Sequence, residues 1–383
     1  MESVDVGKRY NLPSTVRFCT RCVISNQRPR IAFDEHGVCN ACRYWERKRT
    51  EIDWPAREQE LQKLCDRFRR NDGTHDVVVP SSGGKDSCFV AHQLKYQYGM
   101  NPLTVTWAPA KYTDIGRNNF YGLVDSGLDN VLGSPNGIVH RRMTRICFEE
   151  MGEPFQPFIY GQVGFPVRIA LGYGIQLIMD GENGEVEYGG DPSSDKPGFT
   201  ISDIDKYWFS SHPLTNWLDQ GFSNSDLAHY MPPDLRVVTA ANIERHFFSY
   251  YKNWTPQEHY YYAAEHCGFK ANPDGRSEGT FSKYASLDDQ LDGYHYYLML
   301  LKFGIGRATS DAAHEIREGL ITREEGVALV HRFDQEFPQK YFQNFLEYCD
   351  MSEAHFWEVC ERWRNSNLWL KDGNRMKLRV QVS

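Results

Sequence analysis

Ser82-Gly83-Gly84-Lys85-Asp86-Ser87 puts two hydroxyls, two adjacent glycines, an ammonium and a carboxylate into six consecutive residues. Glycines let backbone approach an anion closely, and a helix starting at such a turn aims free N–H groups and its dipole at the same point. The segment reads as a phosphate cradle, with Lys85 supplying charge and Asp86 a hard oxygen for Mg²⁺. A Walker A loop needs G-x-x-x-x-G-K-[ST], and the adjacent glycines exclude it. The bland alternative is a serine-capped turn.

Three further clusters could do chemistry. Cys19, Cys22, Cys39 and Cys42 give C-x2-C-x16-C-x2-C, four soft ligands at the spacing of a closed, structural Zn²⁺ site. Zinc would fold a polar segment that includes Ile24, Ile31 and Phe33. Gly181-Glu182-Asn183-Gly184-Glu185-Val186-Glu187-Tyr188 follows an apolar run. Its Glu182 and Glu187 are candidate Mg²⁺ ligands on the wall opposite the cradle, with Gly181 and Asn183 beside the pyrophosphate. Arg141, Arg142 and Arg145 form a basic cluster that could grip an anionic substrate or simply face solvent. Lys283 and Arg307 are candidates to neutralise triphosphate or leaving-group charge, or else pair with surface acids.

These residues need a scaffold. Val77-Val78-Val79 reads as a buried strand entering the cradle, and Phe89, Val90 and Leu94 as a helix leaving it and ending at Gly99. Further strands are expected at 102–108, 130–132 and 175–179, with helices between. Alternation of this kind predicts an α/β, doubly wound parallel sheet with ligands at the carboxyl ends of its strands. Trp107, at such an end, could lie beside adenine or be ordinary core. Residues 54–70 predict a helix burying Leu61, Leu64, Cys65 and Phe68. A second buried-face helix, capped by Ser286 and carrying Leu287, Leu291, Tyr294, Leu298 and Leu301, should deliver Arg307 to a loop. Thr322 to Glu325 is a capping box, and Ser352 opens a helix with Phe356, Val359, Cys360 and Trp363 inside. Residues 191–225, with Tyr207, Trp208, Phe209 and Trp217, suit a lid or partner surface. The aromatic crowding at 246–262 suits packing or a subunit interface, which leaves room for a homo-oligomer.

The expected domains are 1–53 (zinc ribbon or knuckle), 54–74 (linking helix), 75–240 (catalytic α/β domain) and 241–383 (helical, aromatic-rich, completing the site and a partner surface). With 383 residues, 40% hydrophobic, a large core is available, and a net charge of −8 gives no general reason to bind nucleic acid. The mean hydropathy of −0.60 and the lack of a long apolar run predict no membrane span, and the first residues resemble no signal peptide, so a cytoplasmic location is expected. Ten cysteines, four in one metal-type pattern, fit a reducing compartment.

The six-residue cradle resembles the SGGxDS signature of the PP-loop ATP pyrophosphatases. That resemblance implies cleavage of ATP between its α and β phosphates and an adenylated substrate. Residues 182–190, 278–289 (EGTFSKYASLDD) and 302–309 (KFGIGRAT) resemble the N-acetyl sugar amidotransferase family, the WbpG-like and PseA-like enzymes of bacterial surface-sugar pathways. Glu182 stands where many related PP-loop proteins have histidine. The family resemblance implies that an acetamido group on a nucleotide-linked or nonulosonic sugar becomes an acetamidino group, as in lipopolysaccharide, O-antigen or pseudaminic acid synthesis, with Tyr188 near the substrate. It also implies separate glutaminase and cyclase-like subunits as the ammonia source, in keeping with the absence of an N-terminal cysteine nucleophile. Two alternatives remain at this level. One is a PP-loop tRNA thiolation enzyme using Cys88, Cys147 or Cys267; the other is a non-catalytic nucleotide-binding subunit.

Overall fold

Strands β1 (Val77–Pro80), β2 (Pro102–Trp107), β3 (Asp129–Gly133), β4 (Leu177–Asp180) and β5 (Glu244–Phe247) form one sheet in the order β3-β2-β1-β4-β5, every pairing parallel. These elements are taken from a computed structural model that describes residues 2–199, 214–373 and 375–383. Tyr207, Trp208 and Phe209, assigned above to a lid, lie outside the described residues. The order reverses between β1 and β4, so a crevice opens above the carboxyl ends of these two neighbours. β5 lies beyond residue 240, so the sheet extends past the boundary expected from sequence.

The helices are α1 (Asn40–Thr50), α2 (Trp54–Phe68), α3 (Lys85–Tyr96), α4 (Asp114–Asp125), α5 (Gly137–Met151), α6 (Gln156–Tyr173), α7 (Pro256–His266), α8 (Asp292–Phe303), α9 (Arg307–Glu318), α10 (Arg323–Phe333), α11 (Phe342–Cys349) and α12 (Glu353–Trp363), with one-turn helices in the connections. Period-two alternation divides the sheet between two cores. Val77, Val79, Leu177 and Met179 face α2, α3 and α7 with Leu64, Leu94 and Trp254. Val78, Leu103, Val105, Trp107 and Ile178 face α5 and α6 with Met143, Val163 and Phe165. A third core joins the N-terminal cysteine module to the C-terminal helices: Cys19, Cys22, Val23 and Ile24 are buried in the cluster that holds Leu298, Leu301, Ala312, Phe345 and Trp363. Ile31 and Phe33 pack against it half-buried.

Several local expectations hold. The helix expected over 54–70 is α2, the Thr322–Glu325 capping box opens α10, and Ser352 caps α12. The expected helix start at Ser286 does not hold. α8 begins at Asp292, and Ser286 sits in a loop at φ 55. No helix among the described residues is long and apolar enough to cross a membrane.

Candidate active site and metal centre

β1 is buried and runs straight into the cradle, and Gly84 is the N-cap of α3. No side chain caps that helix, so its first-turn N–H groups are open to a ligand. Gly83 makes the turn possible: its φ is +84, and a Cβ there would lie 2.6 Å from the Phe120 backbone N and Cα in α4. Below the loop, Ser81 Oγ donates to Ser87 Oγ (2.9 Å) and Ser87 Oγ to the Gly84 carbonyl (3.0 Å). Ser87 therefore shapes the turn and does not line the cavity.

That cavity, ≈360 Å³, is lined by Ser82, Gly83, Gly84, Lys85 and Asp86 from the cradle, Glu182 and Tyr188 from the loop after β4, and Ser282 and residues 284–288 with the first three turns of α9. Lys85 Nζ lies 2.5 Å from Asp86 Oδ2, and His259 Nδ1 2.9 Å from Asp86 Oδ1. Burial opposes ionisation of Asp86, but Lys85 and His259 outweigh it and hold the carboxyl well below its usual range. His259, stacked 4.1 Å from Phe89, is shifted down by burial, although Asp86 opposes the shift. The neutral ring then donates from Nδ1 and fixes the carboxylate. Glu182 accepts from Tyr188 Oη (3.2 Å) and Trp254 Nε1 (3.1 Å), and burial reinforced by the Asp86 charge pushes it up to about 7.

From the far wall, Arg307 Nε reaches Asp311 at 3.1 Å, and its guanidinium also donates to Tyr296 Oη. Glu315 and Glu318 follow Asp311 along α9, and burial raises each to about 7. Asp288, lifted by burial and by Asp292, completes the acidic set. The cavity thus has six carboxylates (Asp86, Glu182, Asp288, Asp311, Glu315, Glu318) against the fixed cations Lys85 and Arg307. Added cations would favour ionisation of the raised carboxylates and offset a triphosphate's charge beside them. The hard-oxygen donor set facing the cradle suits Mg²⁺: Asp86 belongs to the loop itself, Asp288 bonds to Ser82, and Glu182 lines the same cavity.

Other sequence candidates lie elsewhere. Trp107 is core: it is 4% exposed, 5.4 Å from the Phe165 ring, and so close to α6 that a Cβ on Gly161 would touch it. It follows Leu103 and Val105 on the α5/α6 face and cannot meet a nucleotide in the described cavity. Glu187 is not in the cavity either; it is buried and accepts from Lys48 Nζ at 3.2 Å. Gly181 packs against Trp254, and Asn183 caps the following turn while donating to the Ser194 carbonyl, so both shape the loop. Lys283 is exposed, its ammonium 4.6 Å from the Tyr260 ring. Arg141 bonds its own helix at the Gly137 carbonyl, Arg142 the Gln220 carbonyl, and Arg145 both Glu149 and the Asp350 carbonyl. These arginines stabilise α5 and its neighbours, which accounts for a basic cluster outside the cavity.

Sequence reasoning missed His259, Asp288, Tyr296, Asp311, Glu315 and Glu318. His259 was hidden in the aromatic run at 246–262. The acids on α9 were signalled only by their three- and four-residue spacing, which puts them on one helix face.

The four cysteines converge as expected. Their Sγ atoms all lie within 4.8 Å of one another, with 3.8 Å separating Cys19 from Cys42 and Cys22 from Cys39. A tetrahedron with Zn–S of ~2.3 Å has edges of ~3.8 Å, so the donor set fits zinc. Backbone N–H groups of Arg21, Cys22 and Cys39 point at Cys19 Sγ, as a thiolate would require. Arg317 links this centre to the active-site loop: Nη1 is 3.9 Å from Cys22 Sγ and Nη2 donates to the Glu187 carbonyl at 3.0 Å.

The parallel sheet places S-G-G-K-D-S at the carboxyl end of β1 and the start of α3, the arrangement that the PP-loop resemblance implies. Residues 278–381 match the family described as "LPS biosynthesis protein WbpG-like, C-terminal domain". Among solved structures it is similar to the NH3-dependent NAD synthetase from Campylobacter jejuni subsp. jejuni NCTC 11168 in complex with the nitrate ion. That similarity has 15% identity and a TM-score of 0.29, covering 50% of this chain and 94% of that one. No curated protein matches.

Proposed function

We propose that the protein is an ATP-dependent amidotransferase that converts the acetamido group of a sugar into an acetamidino group, forming AMP and pyrophosphate. The supporting observation is that Arg307, from the WbpG-like segment, enters the same cavity as Lys85 and Asp86 of the PP-loop. An amide carbon resists ammonia because its nitrogen donates electrons and oxide is a poor leaving group. Adenylation removes both obstacles. The amide oxygen attacks the α-phosphorus and the bond to the bridging pyrophosphate oxygen breaks, leaving an O-adenylated imidate. Ammonia adds to the imidate carbon, a proton is lost, and the carbon–oxygen bond breaks to release AMP.

The chain contributes position and charge. The open N–H groups of α3 and Lys85 receive the departing pyrophosphate, Ser82 approaches it from the loop, and Arg307 faces the charge from α9. Asp86, held ionised by Lys85 and His259, would hold Mg²⁺ together with Glu182, and that ion would neutralise phosphate charge. Ammonia would come from a glutaminase partner with a cyclase-like companion.

Sulfur transfer is less well supported. Cys88 is buried and donates to the Gly83 carbonyl, Cys267 lies against the Cys88 carbonyl, Cys147 is buried in the α5/α6 core, and none of the three lines the cavity. The zinc-loaded protein should be incubated with ATP, Mg²⁺, ammonium and either a nucleotide-linked diacetamido uronic acid or an N-acetylated nonulosonic acid. Equimolar AMP and pyrophosphate, with a product that has lost one oxygen and gained one NH, is expected. AMP formation only with tRNA and a sulfur donor would replace the proposal with thiolation, and no turnover under any condition would leave a binding subunit.

A further inference from the structure

Beside the nucleotide cavity lies a larger one of ≈570 Å³, and the two share Ser286, Leu287, Tyr296 and Arg307 as a common wall. We infer that this second cavity is the acceptor site for an N-acetylated sugar, whose acetamide reaches the nucleotide past Ser286 and Arg307. The inference rests on the amidotransferase reading above.

Most of the second wall is built by the segment that carries the family match. Glu278, Tyr294, Tyr297, Glu336 and Lys340 all fall within residues 278–381, whereas the PP-loop contributes nothing to it. The part of the chain that sets it apart from a generic PP-loop protein therefore forms the chamber next to the reacting phosphate. Its composition suits a polyol more than a bare polyanion. Its three cations are already engaged, Arg276 with Glu336 at 2.6 Å, Lys340 with Asp274 at 2.5 Å and Arg307 with Asp311 at 3.1 Å. Carboxylate oxygens accept sugar hydroxyls, and tyrosine rings cover the apolar face of a pyranose. The volume is that of a pocket for one small ligand.

The shared wall itself is unsatisfied. Ser286 Oγ is buried without a hydrogen-bond partner, and its backbone is held at φ 55, a conformation costly for a residue with a Cβ. A buried hydroxyl with no partner is uncommon. It lies in the wall shared with Arg307 and Tyr296, and turning toward the chamber would give it an acetamide as partner. Ser286 is thus assigned as a positioning residue for the acetamido group.

The test uses the full-length zinc-loaded protein and calorimetric titration with three probes: UDP-N-acetylglucosamine, free N-acetylneuraminic acid, and α,β-methylene-ATP with Mg²⁺. Ile115 lines the second cavity only, so Ile115→Trp should fill it. Sugar affinity should fall at least about tenfold by steric exclusion while the nucleotide analogue binds as in the parent. Ser286→Ala, which fills nothing, should weaken the same sugar by roughly tenfold through the lost hydrogen bond. If Ile115→Trp does not fold, Ser286→Ala decides. The sugar that binds distinguishes a nucleotide-linked from a free acceptor. Sugar binding unchanged in both variants would overturn the assignment and leave the amidotransferase reading intact. A parent protein that binds the analogue but neither sugar would overturn that reading, and the assignment with it.

Discussion

The two adjacent glycines of the cradle should respond very differently to a single added methyl group. At Gly83 the backbone has φ +84, and a Cβ would lie 2.6 Å from Phe120 N and Cα and 2.8 Å from the Asn119 carbonyl carbon. Atoms that normally rest ~3.5–4.0 Å apart would overlap by about 1 Å, against helix backbone that cannot rotate away. The left-handed conformation costs ~1–2 kcal/mol and the overpacking ~1–3 kcal/mol, together ~2–5 kcal/mol. A domain with ~5–15 kcal/mol of stability survives that, so the loop, not the fold, should yield. Displacing a phosphate cradle by about 1 Å should cost on the order of 100-fold. At Gly84, φ is −68 and the nearest outside atom to a new Cβ is Ser82 Oγ at 3.5 Å. Calorimetric binding of Mg²⁺ with α,β-methylene-ATP should therefore weaken by about 100-fold in Gly83→Ala and by under about threefold in Gly84→Ala, with both variants retaining a native circular dichroism spectrum. Parent-like binding by Gly83→Ala, or equal damage from both substitutions, would refute the placement of the loop against α4.

The buried pair Lys48–Glu187, with side chains 2% and 5% exposed, ties the zinc module to the active-site loop. Lys48→Met should cost ~3–5 kcal/mol in urea unfolding, much of it regained in Lys48→Met/Glu187→Met; no loss in the single variant would contradict a buried ion pair. Glu182 has a folded pKa raised to about 7, so the folded state holds its proton more tightly than the unfolded chain does. Its contribution to stability is complete below the ordinary glutamate value and is lost as pH rises through 7. Magnesium-free protein should therefore lose thermal stability from pH 5 to pH 8 with a component absent in Glu182→Gln, while Mg²⁺ affinity should rise over the same interval. Identical pH profiles for parent and variant would remove Glu182 from the metal set. Cys19→Ser should lose zinc by elemental analysis and lose solubility before chemistry, because the ligand cluster shares a core with the C-terminal helices. A soluble, zinc-free, active variant would exclude a structural role for the metal.

The features legible in the sequence are those that are contiguous. The strand, the S-G-G-K-D-S turn and the following helix specify one another locally, and two C-x2-C pairs define a metal site without knowledge of the fold. Alternation of strands and helices was enough for the doubly wound sheet. What escaped depends on which way a side chain points and on contacts over long sequence distances. Trp107 was accessible by period two, which puts it with Leu103 and Val105, but its position at a strand end suggested the ligand crevice. Glu182 and Glu187 share a loop, yet the one-turn helix at Gly184–Glu187 turns the second toward Lys48. The α9 acids approach the cradle from more than two hundred residues away, and no local pattern carries that information. The arginines of α5 bear out the other reading offered for them, in which a charge cluster belongs to a helix surface.

The central claim is that the acceptor's amide oxygen becomes bonded to the α-phosphorus of ATP, and an oxygen label tests it in one step. With the acetamido carbonyl enriched in ¹⁸O, turnover with ATP, Mg²⁺ and ammonium should deliver the label to AMP, one atom per amidine formed, with unlabelled pyrophosphate. Label appearing in water, in pyrophosphate or in inorganic phosphate alongside ADP would contradict the account.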